Sequence, residues 1–295
     1  TLAIDIANGS TTASTTVNVS NIGGPTLNVS NTNDATSTTG RFVIIDQASQ
    51  GSYGAYSDLF PDYGAGFYAA DDFQVYVPGT NLSKLSFPGF TTGSTSLAGF
   101  NGQKIHFQIF ADAAGVPNGN PQTPGSVYSF AATIGTTAGL NVAGNTIRID
   151  LNAAGAPATN LAPGRYWMVV WPEINLGAGP WAWFESVGTF GNNAHHIDPA
   201  GLTGGSTAWV DSTTSGDFPG MAMHIETIAA CGAPWMSTTP ATSSLDGKLS
   251  DTVTVSVDST QIAGSGPRTA VAYLCLDSND ANTPVLAIPV TATQN

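Results

Sequence analysis

Three groups of residues in this chain have the types and spacing that chemistry needs. The first is acidic. Asp71 and Asp72 are adjacent, Asp112 sits in a tight turn with Gly115, and Asp58 and Asp62 share one Tyr/Gly-rich loop. A hard cation takes six to eight oxygens at about 2.3–2.6 Å, supplied by carboxylates and loop carbonyls. Asp71, Asp72 and Asp112 are therefore the candidate calcium ligands, and calcium is the candidate cofactor. There is no EF-hand loop and no nonapeptide repeat in the sequence, and Asp residues in such places also cap turns. The second group is the run His195-His196-Ile197-Asp198, with Asp217 and His224 further on. Adjacent residues of a strand point to opposite faces, so two neighbouring histidines share a metal only in a loop. No H-E-x-x-H pattern and no nearby cysteine completes a zinc site. The third group is aromatic and acidic: Trp167, Trp171, Glu173, Trp181, Trp183, Glu185 and Trp209. Trp171, Trp181 and Trp183 are the candidates for stacking on a sugar ring, whose face is apolar. Two carboxylates flanking a glycosidic bond would make a hydrolase. However, Trp181, Trp183 and Glu185 fall on one face at period two, and one strand cannot place acids on both sides of a bond. Packing of these tryptophans into a core is the favoured reading. No G-x-S-x-G elbow and no phosphate-cradling glycine loop is present, so no catalytic residue is assigned.

The elements that must position these residues read as strands. Between residues 41 and 230 short apolar runs occur at 42–46, 72–77, 85–90, 104–110, 127–133, 146–151, 165–171, 181–186 and 221–228, with Gly, Pro, Asn and Asp clustered between them. No helical period extends beyond a turn or two. Many short strands at this spacing predict an antiparallel sandwich of jelly-roll type. The two ends of the chain differ from this middle. Leu2, Ile4 and Ile6 alternate, as do Val17 and Val19, and then Leu27 and Val29. Past Cys231, Val253, Val255 and Val257 alternate, followed by Val271, Tyr273 and Cys275, and then Val285, Ile288 and Val290. Neither end has enough strands for a two-sheet core, whereas together they supply about seven. The expectation is all-β, with two β-sandwiches: residues 1–36 and 231–295 form a discontinuous immunoglobulin-like sandwich, or one completed by a neighbouring subunit, and residues 37–230 form an inserted jelly-roll-like sandwich. The polar stretch 31–40 reads as the hinge between them.

Composition narrows the function. At 295 residues the chain can bury a sizeable core. Seven Lys and Arg face twenty Asp and Glu, for a net charge of −13. Nucleic acid and anionic membrane both need a basic surface, so neither is an expected partner. A surface of Thr, Ser and Asn on strands, nearly free of Lys, suits an extracellular protein. Cys231 and Cys275 read as a disulfide in an oxidising compartment, the alternative being two buried thiols. No apolar run is long enough to span a bilayer as a helix, so membrane insertion is not expected. No signal-peptide pattern opens the sequence, which reads as a mature form or an internal fragment.

Two resemblances add to this reading. Asn21, Gly23 and Leu27, then Pro234, Trp235 and Pro240, then Ser278-Asn279-Asp280 and Pro284, match the opening and closing motifs of immunoglobulin-like modules of secreted and surface proteins of bacteria, the hydin-like and BACON-like group. Met236 stands where those modules carry Leu, and Pro267-Arg268 stands where they carry a Gly before the aromatic. The resemblance covers roughly a third of the chain. The middle, with Tyr-Ala-Ala-Asp-Asp-Phe at 68–73, the Asp-Gly-Pro turn within 109–119 and Leu-Ala-Pro-Gly-Arg-Tyr-Trp at 161–167, resembles a jelly-roll-like module of secreted bacterial proteins. Such modules serve as spacers, linkers and adhesive units, and fold alone does not name an activity. The resemblance implies a non-catalytic structural or adhesive protein, extracellular or on a bacterial cell surface. One version is a filament subunit that self-associates head to tail by donating its N-terminal strands to a neighbour. The alternatives are an accessory region of a secreted enzyme such as a protease, and a carbohydrate-binding module with a polysaccharide as partner.

Overall fold

The computed structural model describes residues 2–7, 9–22, 25–31, 39–202, 204–264, 266–279 and 285–294. About 54% of the chain is strand. The helical segments described are short 3-10 turns such as Ser212–Ser215. The protein is all-β and built of sandwiches, as the alternating runs lead one to expect. It divides into two compact units, residues 1–42, 76–80 and 228–295, and residues 43–75 and 81–227.

The first unit has a five-stranded sheet and a three-stranded sheet. The order of the first is Leu2–Ile6, Val285–Gln294, Arg268–Ser278, Leu27–Asn31, Thr242–Leu245. The second is Thr12–Ser20, Ser250–Asp258, Met236–Thr239. Ser250–Asp258 shows the sequence logic plainly. Val253, Val255 and Val257 are buried, while the residues between them are partly exposed, which is the alternation of a sheet with one face on a core. Val255 and Val257 meet Ile4, Ile6, Trp235, Leu274 and Val290 in one cluster. The Leu2–Ile6 strand runs parallel to Val285–Gln294, with Leu2 beside Val290 and Ile6 beside Gln294. Cys231 and Cys275 form a disulfide with Cα atoms 5.7 Å apart, across 44 residues of sequence. The motif asparagines have structural work. Asn21 Nδ2 donates to the carbonyls of Pro25 (2.6 Å) and Leu245 (2.9 Å). Asn279 Oδ1 accepts from the Asn28 N–H at 2.8 Å, and its Nδ2 donates to the Thr26 carbonyl. Gly23, Asp280, Pro284 and most of the expected hinge at 31–40 lie outside the described residues.

The second unit is centred on a seven-stranded antiparallel sheet. Its path is Tyr128–Thr133, Lys104–Ala111, Gly164–Pro172, Ala65–Val75, His195–Ile197, Val210–Asp211, with Asp58–Phe60 also pairing Ala65–Val75. On one face Ile105, Phe107 and Ile109 are buried, and Phe107 meets Phe87 of the Asn81–Phe87 strand at 6.1 Å, so a second sheet covers them. On the other face Tyr68, Ala70, Phe110, Trp167, Val169, Trp171 and Ile197 form a separate cluster. Burial on both faces removes alternation, and this explains the main difference from the sequence reading. The strand expected from residue 72 begins at Ala65, because Ala65–Val75 is almost wholly buried and shows no period. Gly54–Tyr56, Gly89–Thr91 and Gly220–Met221 assemble on Trp181–Ser186 as a smaller sheet.

Candidate functional site

The acidic group is scattered by the fold. Asp71 and Asp72 are neighbours on one strand and point to opposite faces. Asp71 is wholly buried. Its Oδ2 accepts from Gln47 Nε2 and from the Met221 N–H, both at 2.7 Å, and its Oδ1 accepts from the Asp72 N–H at 2.8 Å. Burial pushes its carboxyl up to about 8, with the neighbouring Asp72 adding to the effect against the pull of the Met221 N–H. Asp72 Oδ2 accepts from Arg165 Nη1 at 2.5 Å, from the Asn192 N–H at 3.0 Å and from Asn192 Nδ2 at 2.7 Å. Burial raises this carboxyl too, and the Arg165 guanidinium opposes the rise. Gly191, at φ +129°, lets the loop close over this pair, since a side-chain carbon there would overlap Arg165 Nη1. Asp112 Oδ1 accepts from Trp167 Nε1 at 2.8 Å, and its carboxylate caps the Gly115 N–H. Asp58 accepts from the Ile174 and Trp181 N–H groups and is driven well above the usual carboxylate range by burial.

These contacts correct the calcium assignment. Asp71, Asp72 and Asp112 do not converge, and their oxygens face N–H donors where a cation needs shared oxygens. Among the described residues no group of three or more His, Cys, Asp or Glu is placed to hold a metal ion. The histidines are likewise apart. His195 packs edge-on against Trp167 at 5.0 Å, His196 points to the opposite face, and His224 sits between Asp46 and Glu226.

The sugar-stacking assignment is corrected as well. Trp181 and Trp183 are 0% exposed and Trp171 is 4% exposed, so none offers a free ring face. The polar edges of Trp181 and Trp183 are also spoken for, whereas Trp171 Nε1 is buried with no hydrogen-bond partner among the described residues. Trp181 Nε1 donates to the Asn145 carbonyl at 2.9 Å, and Trp183 Nε1 donates to the Ala222 carbonyl at 2.6 Å. One face of Trp171 is covered by the His106 ring, parallel at 5.1 Å, and His106 Nε2 lies 2.6 Å from Glu173 Oε1. Glu185 is buried and accepts from the Phe218 N–H, and burial raises its carboxyl.

The second unit does contain a cavity, of about 290 Å³, lined in part by His196, Ile197, Asp198 and Asp217 of the second group. One wall is aromatic. Tyr56, 47% exposed, and Phe67 stand 6.4 Å apart at 37°. The polar part of the lining is His196, on the strand next to that of Phe67, with Ser215, Asp217, Asp198 and Gly205. The rings are held from behind. Tyr56 pairs with Ala182 in the small sheet, and Phe67 pairs with Asp58 and is braced edge-on by buried Phe60 at 5.7 Å. Gly54 is required there, since a side chain would meet the Trp183 carbonyl at 2.5 Å. His196 is half-buried, and its ring has no hydrogen-bond partner among the described residues. Burial lowers its imidazole below the usual value, against the pull of Asp217. The sequence grouped His196, Asp198 and Asp217 as metal ligands, and it gave no signal that Tyr56 and Phe67 would join them.

No protein family matches the chain, and no curated protein matches it. Among solved structures it is similar to a clostridial cysteine protease, Cwp84, after propeptide cleavage, at 14% identity and a TM-score of 0.40, over 65% of this chain and 40% of that one. It is also similar to the cysteine protease and lectin-like domains of Cwp84, a surface-layer-associated protein of Clostridium difficile, at 14% identity and a TM-score of 0.36, over 55% of this chain and 32% of that one. The chain spans less than half the length of each. Similarity at this level assigns neither a family nor an activity.

Proposed function

We propose that this chain is a non-catalytic, extracellular β-sandwich protein with a structural or adhesive role at a bacterial surface. One observation carries the reading: the side chains with chemical potential are spent on holding the fold. Asp58, Asp71 and Asp72 each bracket backbone or side-chain donors from distant segments. Trp167, Trp171, Trp181 and Trp183 are core. The disulfide and the low charge support an oxidising location. The test is brief protease treatment of intact cells followed by mass spectrometry without reduction. Recovery of peptides from the cell surface, with Cys231 and Cys275 linked, is expected. Recovery only after lysis, with free thiols, overturns the reading.

A second version is favoured by one feature of the pairing. Leu2–Ile6 pairs with Val285–Gln294, Thr12–Ser20 with Ser250–Asp258, and Leu27–Asn31 with Thr242–Leu245 and Arg268–Ser278. Among the described residues the three N-terminal strands pair with the C-terminal segment and never with one another. A second copy can offer the same strands in the same registers, which would give a head-to-tail, non-closing assembly. Negative-stain images of native material should then show fibres, and monodisperse 30.1 kDa particles would sink this version while leaving the first.

A further inference from the structure

We infer that the cavity lined by Tyr56 and Phe67 together with His196, Ser215 and Asp217 is a binding site for one ring of a neutral pyranoside. The inference rests on the adhesive reading and supplies it with a ligand class.

The walls of the cavity differ in kind, and the difference selects the ligand. A pyranose ring is apolar on a face, where its C–H bonds project, and polar around its rim. The exposed Tyr56 ring and the Phe67 ring give an apolar wall held by strand pairing, so little side-chain freedom is lost on binding. The rest of the lining gives hydrogen-bonding groups of mixed sense. Neutral imidazole has one donor and one acceptor nitrogen, the Ser215 hydroxyl can do either, and the Asp217 carboxylate accepts. Hydroxyl groups, which donate and accept at once, match that mixture. The His196 ring is half-buried without a hydrogen-bond partner among the described residues, and a ligand rim would supply one. About 290 Å³ lies just below the usual range of about 300–1,000 Å³ for small-molecule sites, which suits a single ring of a longer chain.

Other ligand classes fit worse. An anionic sugar meets Asp217 and Asp198 in a protein of net charge −13. A wholly apolar ligand would strip water from Asp217 and Ser215 without replacing its hydrogen bonds. An organic cation would find Asp217 and two ring faces, but it would leave the acceptor and donor of His196 unpaired. The floor is also built for a fixed shape. Asp198 is buried, its Oδ1 accepts from the Leu202 N–H at 2.9 Å and its own N–H donates to the Ser206 carbonyl at 2.8 Å, tying down the loop that carries Gly205.

The test is a nuclear magnetic resonance titration of the full chain with methyl glucoside, methyl galactoside, methyl mannoside and N-acetylglucosamine, and with tetramethylammonium as the cationic probe. At least one pyranoside should shift the Gly54, Tyr56, His196 and Gly205 signals in a saturable way. Tyr56→Ala should weaken it by about tenfold or more, as for an aromatic anchor, and Ser215→Ala by less. Tyr63→Ala, an exposed ring away from the cavity, should leave it unchanged. Both Tyr56 and Ser215 are exposed, so these variants should fold, and unchanged spectra elsewhere would verify it. No shift with any pyranoside, shifts that survive Tyr56→Ala, or binding of tetramethylammonium in their place overturns the inference. Failure here with the chain found on the cell surface removes only the sugar site. Binding by a chain found inside the cell removes the adhesive reading and leaves the site standing.

Discussion

Replacing Asp71 by Asn should change how stability depends on pH. The Asp71 carboxyl is fully buried, and burial lifts it from an ordinary value of 3.8 to about 8. A group raised in the folded state binds its proton more tightly there than in the unfolded chain. Its contribution to stability is complete below about pH 3.8 and is lost as pH rises through about 8. Each pH unit in that window is worth about 1.4 kcal/mol, so the step from pH 5 to pH 7 costs about 3 kcal/mol. That is a large share of the roughly 5–15 kcal/mol that separates folded from unfolded states. Asp58, Asp72 and Glu185 are shifted in the same direction, so the protein alone does not isolate Asp71. Asp71→Asn keeps the shape and removes the titration. The quantity to follow is therefore the difference between the native protein and the variant. Urea unfolding read by tryptophan fluorescence reports the right unit, because Trp167, Trp171, Trp181, Trp183 and Trp209 all lie in residues 81–227. The native protein should lose about 3 kcal/mol relative to the variant between pH 5 and pH 7. A difference that stays flat, or that grows in favour of the native protein as pH rises, refutes the reasoning. The three donors on Asp71 would then have outweighed its burial.

Three further outcomes are expected. Replacing Cys231 and Cys275 by Ala opens a loop of 44 residues and should cost about 4 kcal/mol by the chain-entropy relation, read as faster hydrogen exchange of the strand amides of that unit. Gly191→Ala should destabilise by about 2 kcal/mol or more, because the new carbon displaces Arg165 from buried Asp72, whereas Gly188→Ala, with open space around it, should shift the midpoint by under about 0.5 kcal/mol. Asn21→Ala removes two hydrogen bonds to the Pro25 and Leu245 carbonyls and should cost about 1–3 kcal/mol, measured by denaturant titration of the same unit.

What was legible in the sequence was the half-buried strand. Val253, Val255 and Val257 alternate because one face meets a core and the other meets water, and Trp181–Ser186 appears where its period placed it. Where both faces are covered the signal disappears, and Ala65–Val75 was found late and short for that reason. The tryptophan run carried a different difficulty. Period two put Trp181 and Trp183 on one face, but it does not say whether that face looks inward, and it does. Asp71 and Asp72 looked like a pair because they are adjacent, whereas adjacency on a strand is what separates them. The cavity was legible only in part. His196, Asp198 and Asp217 were grouped in the sequence, for a metal, whereas Tyr56 and Phe67 come from a distant segment that only the fold brings to them. The resemblance motifs did better, because Asn21 holds its own turn through the Pro25 carbonyl, while Asn279 bonds the backbone of Thr26 and Asn28 on the neighbouring segment.

The parallel pairing of Leu2–Ile6 with Val285–Gln294 has a mechanical meaning. Leu2 and Gln294 lie at opposite ends of that ladder. Tension applied along the chain at these two residues slides the strands past each other instead of peeling them apart. An antiparallel hairpin pulled at its open end yields one hydrogen bond at a time, like a zip. A ladder in shear shares the load among all its bonds and gives way only when they fail together. A chain stretched between two anchorage points would thus meet its stiffest element first.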